Sequence, residues 1–341
     1  MNSNQEKLIN LFASLTFGSP LIFDPDEYKK GNSTREPADL VLVANNTIIL
    51  FYMKSKEKIY SKHKSVIQSR RQKLINDNIK QARGWMNEWE SRNLTGKNDF
   101  TSFSIKKRDF KNIIIIGLVD YTLDFCVSHK KVSNELNAKY CVTISQDIIE
   151  QIFKMNFSML DLILIIDYIE RNCDENSIFP LENIITKYYD LALQKVFKEK
   201  ISENFFKEAN LLLDSLKSQY NLNNKSGHSI VASELFCDLE LIETLKMKYQ
   251  IAKILTEMKN EKEYRICVIP LKKLKIVISL SAWQNWPIII DKFNITMDTY
   301  NDGNGTLGMI YEFYTKSSIF IPIHRTCKSS LEEFLENKNC L

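Results

Sequence analysis

The chain has 341 residues, of which 44% are hydrophobic and 26% charged. This balance excludes an intrinsically disordered protein and suits about two domains with substantial cores. The net charge is only +4, but the segment from Lys54 to Arg92 holds eleven Lys or Arg against four Asp or Glu. Such a basic segment is the footprint that binds a nucleic-acid backbone, although a solvated helix face has the same composition.

The sequence gives no sign of membrane insertion or secretion. Its first residues, MNSNQEKLINLF, are polar and amphipathic, which is not the pattern of a signal peptide. The most apolar run, Met159 to Ile169, contains two Asp residues and is too short to span a bilayer. Seven cysteines are dispersed without a C-x-x-C pair, which is typical of reduced thiols. We therefore expect a soluble, cytoplasmic protein.

The N-terminal segment predicts a helix, a loop and a hairpin. Residues 4–15 carry apolar side chains at helical spacing, and glycines and prolines then mark a loop from Gly18 to Ser33. Two apolar runs, 38–44 and 47–53, flank Asn45-Asn46. Asparagine tolerates positive φ, so this pair predicts a two-residue turn. Runs without polar alternation predict strands that are buried on both faces.

A long helix and two further strands are predicted next. Residues 65–91 place apolar side chains three and four apart, with Lys73 and Lys80 on another face. Residues 112–120 and 140–145 are apolar runs of strand length, and the second leads directly into a helix from Gln146. This order predicts a mixed sheet covered by helices.

The remaining sequence predicts a helical region and then a β region. Ser158 to Glu261 has helical periodicity almost throughout, whereas Tyr264 to Arg325 contains short strand-like runs, among them WPIIID and NITMDTY. We therefore predict an α/β chain with a mixed sheet flanked by helices at 1–155. A helical region at 156–261 and an antiparallel β unit at 262–341 follow, either as separate domains or packed as one.

The predicted hairpin contains the residues that indicate a possible reaction. Metal-dependent hydrolysis of a phosphodiester needs carboxylates that converge on the ion and a cation near the developing charge. In REPADLVLVANNTIILFYMKSK, residues 35–56, Asp39 opens the first strand and Lys54 closes the second. Two adjacent strands can present such residues on one side, because residues i and i+2 share a face.

This motif resembles the signature of the PD-(D/E)xK, or restriction-endonuclease-like, nuclease superfamily, in which an Asp precedes a hairpin that ends in Glu-x-Lys. It also resembles bacterial hypothetical proteins with an acid-x-x-Asp strand followed by an apolar strand ending in x-x-Lys. The resemblance spans roughly residues 5–90 and continues weakly to about residue 155. It implies an endonuclease-like sheet, a Mg²⁺ or Mn²⁺ cofactor, and catalytic roles for Asp39 and Lys54.

The sequence departs from the signature at Tyr52, where the superfamily has Asp or Glu. A phenol with a pKa near 10 is a poor ligand for a hard divalent ion at neutral pH. The candidate substitutes are Glu36, three residues before Asp39, and Glu6 on the first helix. The backbone carbonyl of Met53 is a further candidate ligand. If the site is otherwise sound, we expect Tyr52→Glu to raise activity or metal affinity.

Simpler roles exist for the same residues. Asp39 suits a strand-start acid that accepts a backbone hydrogen bond, and Lys54 suits a strand-end lysine that reaches solvent. A weaker alternative places the first acid at Asp26, which precedes a loop rather than a strand.

Cations in and before the long helix are candidates for phosphate contacts. They are Lys56, Arg70, Arg71, Lys73, Lys80 and Arg83. A solvated helix face is the alternative for all of them.

Three functional classes stay open. The first is a metal-dependent nuclease that acts on nucleic acid, DNA before RNA, and the resemblance suggests bacterial defence against foreign DNA as its setting. The second is a catalytically inactive nuclease-fold protein that binds nucleic acid. The third is a protein-interaction subunit that keeps the fold for its shape. A homodimer is expected, because two-fold symmetry suits a duplex with two strands, and a partner subunit is the alternative.

Overall fold

The computed structural model describes residues 21–54, 64–98, 101–119, 125–155, 157–172, 182–197, 209–210, 239–257, 265–272, 275–281, 286–300, 306–312 and 317–323. The chain divides into two compact units, Met1–Lys187 and Tyr188–Leu341. The division into three regions, with boundaries after residues 155 and 261, stays a prediction.

The first unit contains an eight-stranded sheet and a separate small hairpin among its described residues. Its strands are β1 (Ile22–Pro25), β2 (Tyr28–Lys30), β3 (Ser33–Arg35), β4 (Leu40–Ala44), β5 (Thr47–Lys54), β6 (Leu94–Lys97), β7 (Ser102–Ile105), β8 (Asn112–Val119), β9 (Cys126–Ser128) and β10 (Tyr140–Ser145). The order in the large sheet is β7-β6-β1-β4-β5-β8-β10-β9, while β2 and β3 pair only with each other. The β5–β8 and β8–β10 pairings are parallel and the others are antiparallel.

Helices cover this sheet. They are α1 (Lys64–Glu88), α2 (Lys130–Glu135), α3 (Gln146–Lys154) and α4 (Met159–Asn172), and α5 (Glu182–Val196) crosses the boundary between the units. The predicted α/β class with a mixed N-terminal sheet is therefore confirmed. The helix predicted at residues 4–15 lies outside the described residues.

The long helix α1 packs through the predicted apolar stripe. Ile75, Ala82, Met86 and Trp89 are buried in it, as is Trp85, whose ring stacks at 6.0 Å from that of Trp89. The helix covers β5 and β8, whose side chains are buried along nearly their whole length. The prediction of strands that are buried on both faces is therefore confirmed. The buried stripe also identifies the side of α1 that faces away from the core.

The hairpin of β4 and β5 forms as predicted. Ala44 pairs with Thr47, so Asn45 and Asn46 make a two-residue turn. Asn45 has φ of 52°, a left-handed conformation that asparagine adopts more readily than other residues with a side chain.

Replacing Asn45 is expected to change stability according to this backbone conformation. A β-branched side chain is strained at positive φ, so Asn45→Val should lower the free energy of unfolding by about 1–2 kcal/mol. Asn45→Gly removes the strain and serves as the control, with stability close to that of the native protein. Urea unfolding of the three proteins measures both effects, and an equal loss in the two variants would contradict this assignment.

The segment predicted as a loop between Gly18 and Ser33 contains, in its described part, the strands β1 and β2 and the first residue of β3. β1 pairs with both β4 and β6, and its Ile22 and Phe23 are buried, as is Leu21 just before it. β2 and β3 form a hairpin across Gly31, which has φ of 62°. The loop prediction was wrong because glycine and proline here end short strands, whose pairing with distant strands leaves no local periodicity.

The second unit contains α6 (Leu241–Glu257), α7 (Trp286–Tyr300), β11 (Arg265–Pro270), β12 (Lys275–Ser281), β13 (Thr306–Glu312) and β14 (Ser317–Ile323) among its described residues. The predicted C-terminal β unit is present, with antiparallel β11–β12 and β13–β14 pairings. β12 and β13 pair in parallel, and helix α7 makes the crossover that parallel strands require.

The strands predicted at WPIIID and NITMDTY were wrong, because these residues form α7. Phe293 and Met297, four residues apart, are buried on one face of the helix and pack against Val277. A Cβ at Gly308 would lie 2.5 Å from Phe293 Cζ, so glycine in β13 permits the close approach of the helix. The described residues contain no helix that is both long and apolar enough to cross a membrane.

Candidate functional site

A cleft of about 450 Å³ opens in the first unit where the end of the β4–β5 hairpin meets α1. The segment of residues 27–36, which contains the β2–β3 hairpin, supplies another side. The described lining residues are Glu27, Tyr28, Thr34, Arg35 and Glu36 from that segment, Asp39 and Lys54 from the β4–β5 hairpin, and Asp77, Lys80, Gln81 and Gly84 from α1. Asp39, Lys54 and Glu36, predicted as catalytic residues, thus line the same cleft.

Asp39 is held at the start of β4 by two bonds to β5. Its backbone N–H donates to Phe51 O at 2.9 Å, and its Oδ2 accepts a hydrogen bond from the Met53 N–H at 2.5 Å. The second bond is the one expected of a plain strand-start acid. It also fixes the half-buried carboxylate in the cleft that Lys54 lines, so the structural role and a chemical role are compatible.

Lys54 ends β5 and turns its ammonium toward α1. Its Nζ donates to Gln81 Oε1 at 2.6 Å and to Met53 O at 3.2 Å. Both acceptors are neutral, and within the described part of the chain no carboxylate forms an ion pair with Lys54. The half-buried ammonium therefore keeps its positive charge available to an anion in the cleft.

Tyr52 belongs to the core and not to the cleft. The side chain is completely buried under α1, in the same cluster as Ala82 and Trp85. With Asn78 and Gly117 it lines an internal cavity of about 10 Å³, and its hydroxyl has no hydrogen-bond partner among the described residues. Burial, followed by the negative charge of Asp39, raises the pKa of the Tyr52 phenol well above its usual range. A phenolate ligand at this position is therefore unfavourable.

The described donor groups fit a divalent ion that is shared with a substrate. The described residues contain no group of three or more His, Cys, Asp or Glu placed to hold a metal. Mg²⁺ is nevertheless commonly bound through one or two carboxylates together with substrate phosphates. Asp39 with Glu36 or Asp77 could supply those carboxylates, because all three line the cleft.

The two other predicted metal ligands are Glu6 and the backbone carbonyl of Met53. Glu6 lies outside the described residues. The carbonyl of Met53 accepts a hydrogen bond from the Lys54 ammonium, so metal ligation by this oxygen would compete with that bond.

Among the predicted phosphate contacts, Lys80 is the one that lines the cleft. Lys73, two helical turns earlier, is exposed outside the cleft lining. Lys56 lies outside the described residues.

The three arginines of α1 lie apart from the cleft lining. Arg70 is half-buried. Arg71 is buried, with its guanidinium 5.4 Å from the centre of the Phe125 ring. Arg83 forms a two-point ion pair with Glu135, at 2.9 and 2.6 Å, and this bond lowers the pKa of Glu135. Arg71 and Arg83 therefore have partners within the protein, and the proposed binding site does not include them.

Of the described residues of α1 that line the cleft, Lys80 was predicted as a phosphate contact, whereas Asp77, Gln81 and Gly84 were missed. Asp77, Lys80, Gln81 and Gly84 are spaced three, four and seven residues from the first, so they share one face of the helix. The face is visible in the sequence as a polar stripe that ends at a small residue. What the sequence lacks is the information that this part of the stripe, and not its continuation two turns earlier at Lys73, meets the end of β5.

Comparison with known proteins gives no relative from which a role could be transferred: no family model, no curated protein and no solved structure matches the chain.

Proposed function

We propose that the protein is a nuclease-like enzyme that hydrolyses phosphodiester bonds of nucleic acid, DNA before RNA, with Mg²⁺ or Mn²⁺ as cofactor. The observation that carries the proposal is that Asp39 and Lys54, fifteen residues apart in the sequence, line one open cleft. A positioned carboxylate, and an ammonium that has no acidic partner among the described residues, are two of the groups that metal-dependent phosphodiester hydrolysis uses.

In this proposal each residue has a separate task. Asp39, with Glu36 or Asp77, would hold the divalent ion jointly with the scissile phosphate. The ion, when bound, polarises the phosphoryl oxygens as a Lewis acid. The Lys54 ammonium stabilises the negative charge that develops on those oxygens, and Gln81, which accepts its hydrogen bond at 2.6 Å, keeps it oriented toward the cleft.

Cleavage assays on the purified native protein test this function. Supercoiled plasmid and single-stranded oligonucleotides would be incubated with Mg²⁺ or Mn²⁺ over a concentration series, with EDTA as the control. We expect cleavage that rises with metal and stops with EDTA. Intact substrates at every metal concentration would contradict the enzymatic proposal.

The second candidate is a catalytically inactive protein that binds nucleic acid through the same cleft. The burial of Tyr52, in the place of the second acid, favours it. Salt-sensitive binding that is independent of divalent metal, without cleavage, is the result that this candidate predicts.

Charge reversal on α1 separates a cleft contact from a general basic surface. Lys80 lines the cleft, whereas Lys73 is exposed outside its lining. We expect Lys80→Glu to weaken nucleic-acid binding and to lower the slope of log affinity against log salt by roughly one unit or more. Lys73→Glu carries the same charge change on the same helix and should have a clearly smaller effect. Equal slopes for the native protein and both variants would mean that this helix is merely solvated.

A further inference from the structure

The small β2–β3 hairpin forms a wall of the cleft although it stands outside the main sheet. Among the described residues, its strands pair only with each other, and most of their side chains are exposed. The cleft-lining residues of this hairpin are Tyr28, Thr34 and Arg35, and Glu27 and Glu36 flank it. A surface hairpin without a ladder to the sheet must be held in place by side chains.

Glu88, at the end of α1, provides that attachment. Its Oε1 lies 2.8 Å from Lys30 Nζ of the hairpin, and its Oε2 lies 3.1 Å from Arg92 Nη2. The Arg92 guanidinium in turn stands 5.2 Å from the centre of the Tyr28 ring. The hydrogen bond from Lys30 is the main cause that lowers the pKa of the Glu88 carboxyl, so the carboxylate is charged at neutral pH.

Aromatic packing adds a second attachment. The Tyr28 ring lies 5.1 Å from the Trp85 ring of α1, and Trp85 is almost completely buried. The hairpin is therefore tied to the same helix that supplies Lys80 and Gln81 to the cleft. This attachment sets the position of Arg35 relative to the opposite side of the cleft.

The cations among the described cleft residues come from three different elements. They are Arg35 on β3, Lys54 on β5 and Lys80 on α1. Within the described ranges none of the three forms an ion pair with a carboxylate, although four carboxylates line the same cleft. Cations that converge without acidic partners are suited to successive phosphates of a nucleic-acid strand.

The charge balance of the cleft links this role to the metal. Among the described lining residues, four carboxylates against three cations give a net charge of −1. A divalent ion on the carboxylates changes the sign to +1, which favours a polyanion. Nucleic-acid binding in the cleft should therefore strengthen when a divalent ion is present.

We propose that the β2–β3 hairpin is the substrate-holding wall of the cleft, with Arg35 binding a backbone phosphate of the strand whose scissile phosphate lies at Asp39 and Lys54. This inference rests on the proposed function, because it assigns a further contact to the same nucleic-acid substrate. It adds a residue and an element that the sequence motif does not contain.

The test measures binding of a fluorescently labelled DNA oligonucleotide to the full chain by anisotropy over a salt series. Ca²⁺ would replace Mg²⁺ so that binding is measured separately from cleavage, and a series with EDTA would run in parallel. We expect Arg35→Gln to weaken binding about 10-fold and to lower the salt slope by about one unit. Lys29→Gln is the matched control, because Lys29 lies on the same hairpin and is exposed outside the cleft lining.

A second variant, Glu88→Gln, tests the attachment of the hairpin. Loss of a negative charge alone would tighten binding to a polyanion, whereas a loosened hairpin would weaken it. We expect Glu88→Gln to bind more weakly than the native protein. The thermal unfolding midpoint of the variant is measured as a control that it is folded.

Each result has a distinct meaning. Native binding that Arg35→Gln leaves unchanged, or changes no more than Lys29→Gln, would overturn the role of the hairpin and leave the proposed function standing. Tighter binding by Glu88→Gln would overturn the attachment argument. If the native protein binds no oligonucleotide with or without Ca²⁺, the proposed function fails and this inference fails with it.

Discussion

Replacing Asp39 with asparagine is expected to abolish metal-dependent cleavage while leaving the fold intact. Asparagine has nearly the shape of aspartate and can still accept the hydrogen bond that the Met53 N–H donates to Asp39. It lacks the negative charge that a divalent ion requires. The loss of rate should be at least about 100-fold, as is usual when one electrostatic contact to the transition state is removed.

Lys54→Met is the companion variant, because it keeps the length of the side chain and removes the ammonium. We expect a similar loss of rate, worth about 3 kcal/mol, without a loss of metal binding. Single-turnover cleavage with metal titrated for each variant separates the two roles. Robust cleavage by the Asp39→Asn protein would show that the chemistry occurs elsewhere.

The second large effect is expected at Tyr52, and it concerns stability. Tyr52 is completely buried under α1, so Tyr52→Glu would place a carboxylate in the core without a cationic partner from its own cluster. We expect the free energy of unfolding at neutral pH to fall by about 3–5 kcal/mol. The gain in activity suggested by the sequence motif would then be masked by unfolding, unless a bound metal compensates.

The pH dependence of this loss has a definite sign. Burial raises the pKa of the introduced carboxyl above its unfolded value of about 4.3, because the charged form is desolvated. The folded state therefore binds the proton more tightly, and the loss shrinks as pH falls toward that value. Urea unfolding at two pH values measures this.

Tyr52→Phe is the control for the Tyr52 prediction. It removes a hydroxyl that has no hydrogen-bond partner among the described residues, so its stability should lie within about 1 kcal/mol of the native value. If Tyr52→Glu unfolds at the same urea concentration as the native protein, the side chain at this position reaches solvent or the cleft, and the core assignment is wrong.

The centre of the fold could be predicted because its signals are local. Two apolar runs around Asn45-Asn46 specify the β4–β5 hairpin, and the hairpin brings Asp39 and Lys54 to the same end of the sheet. The buried stripe of α1 could also be predicted from a local signal, because its residues repeat every three or four positions.

What could not be predicted depends on distant partners. β1 is four residues long, and its identity as a strand comes from pairing with β4 and β6. In α7 the isoleucine-rich sequence favours a strand by propensity, but packing of Phe293 over Gly308 selects a helix. Arg35 was not predicted as a site residue, because most of its hairpin lies in the segment that was predicted to be a loop.

Of Glu36 and Asp77, the two acids proposed to join Asp39, only Glu36 could be proposed from the sequence. Glu36 is close to Asp39 in the sequence, so it could be proposed directly. Asp77 lies thirty-eight residues further along the chain and enters the cleft only through the way α1 packs on β5.

We expect a divalent ion and a nucleic-acid phosphate to share the Asp39 cleft, and electron paramagnetic resonance of bound Mn²⁺ measures this joint binding. The native protein and Asp39→Asn would be titrated with Mn²⁺, with and without an oligonucleotide that carries a non-hydrolysable backbone. We expect weak Mn²⁺ binding to the native protein alone, much tighter binding when protein and oligonucleotide are together, and loss of that gain in Asp39→Asn. Equal Mn²⁺ binding by the two proteins in the presence of the oligonucleotide would contradict it.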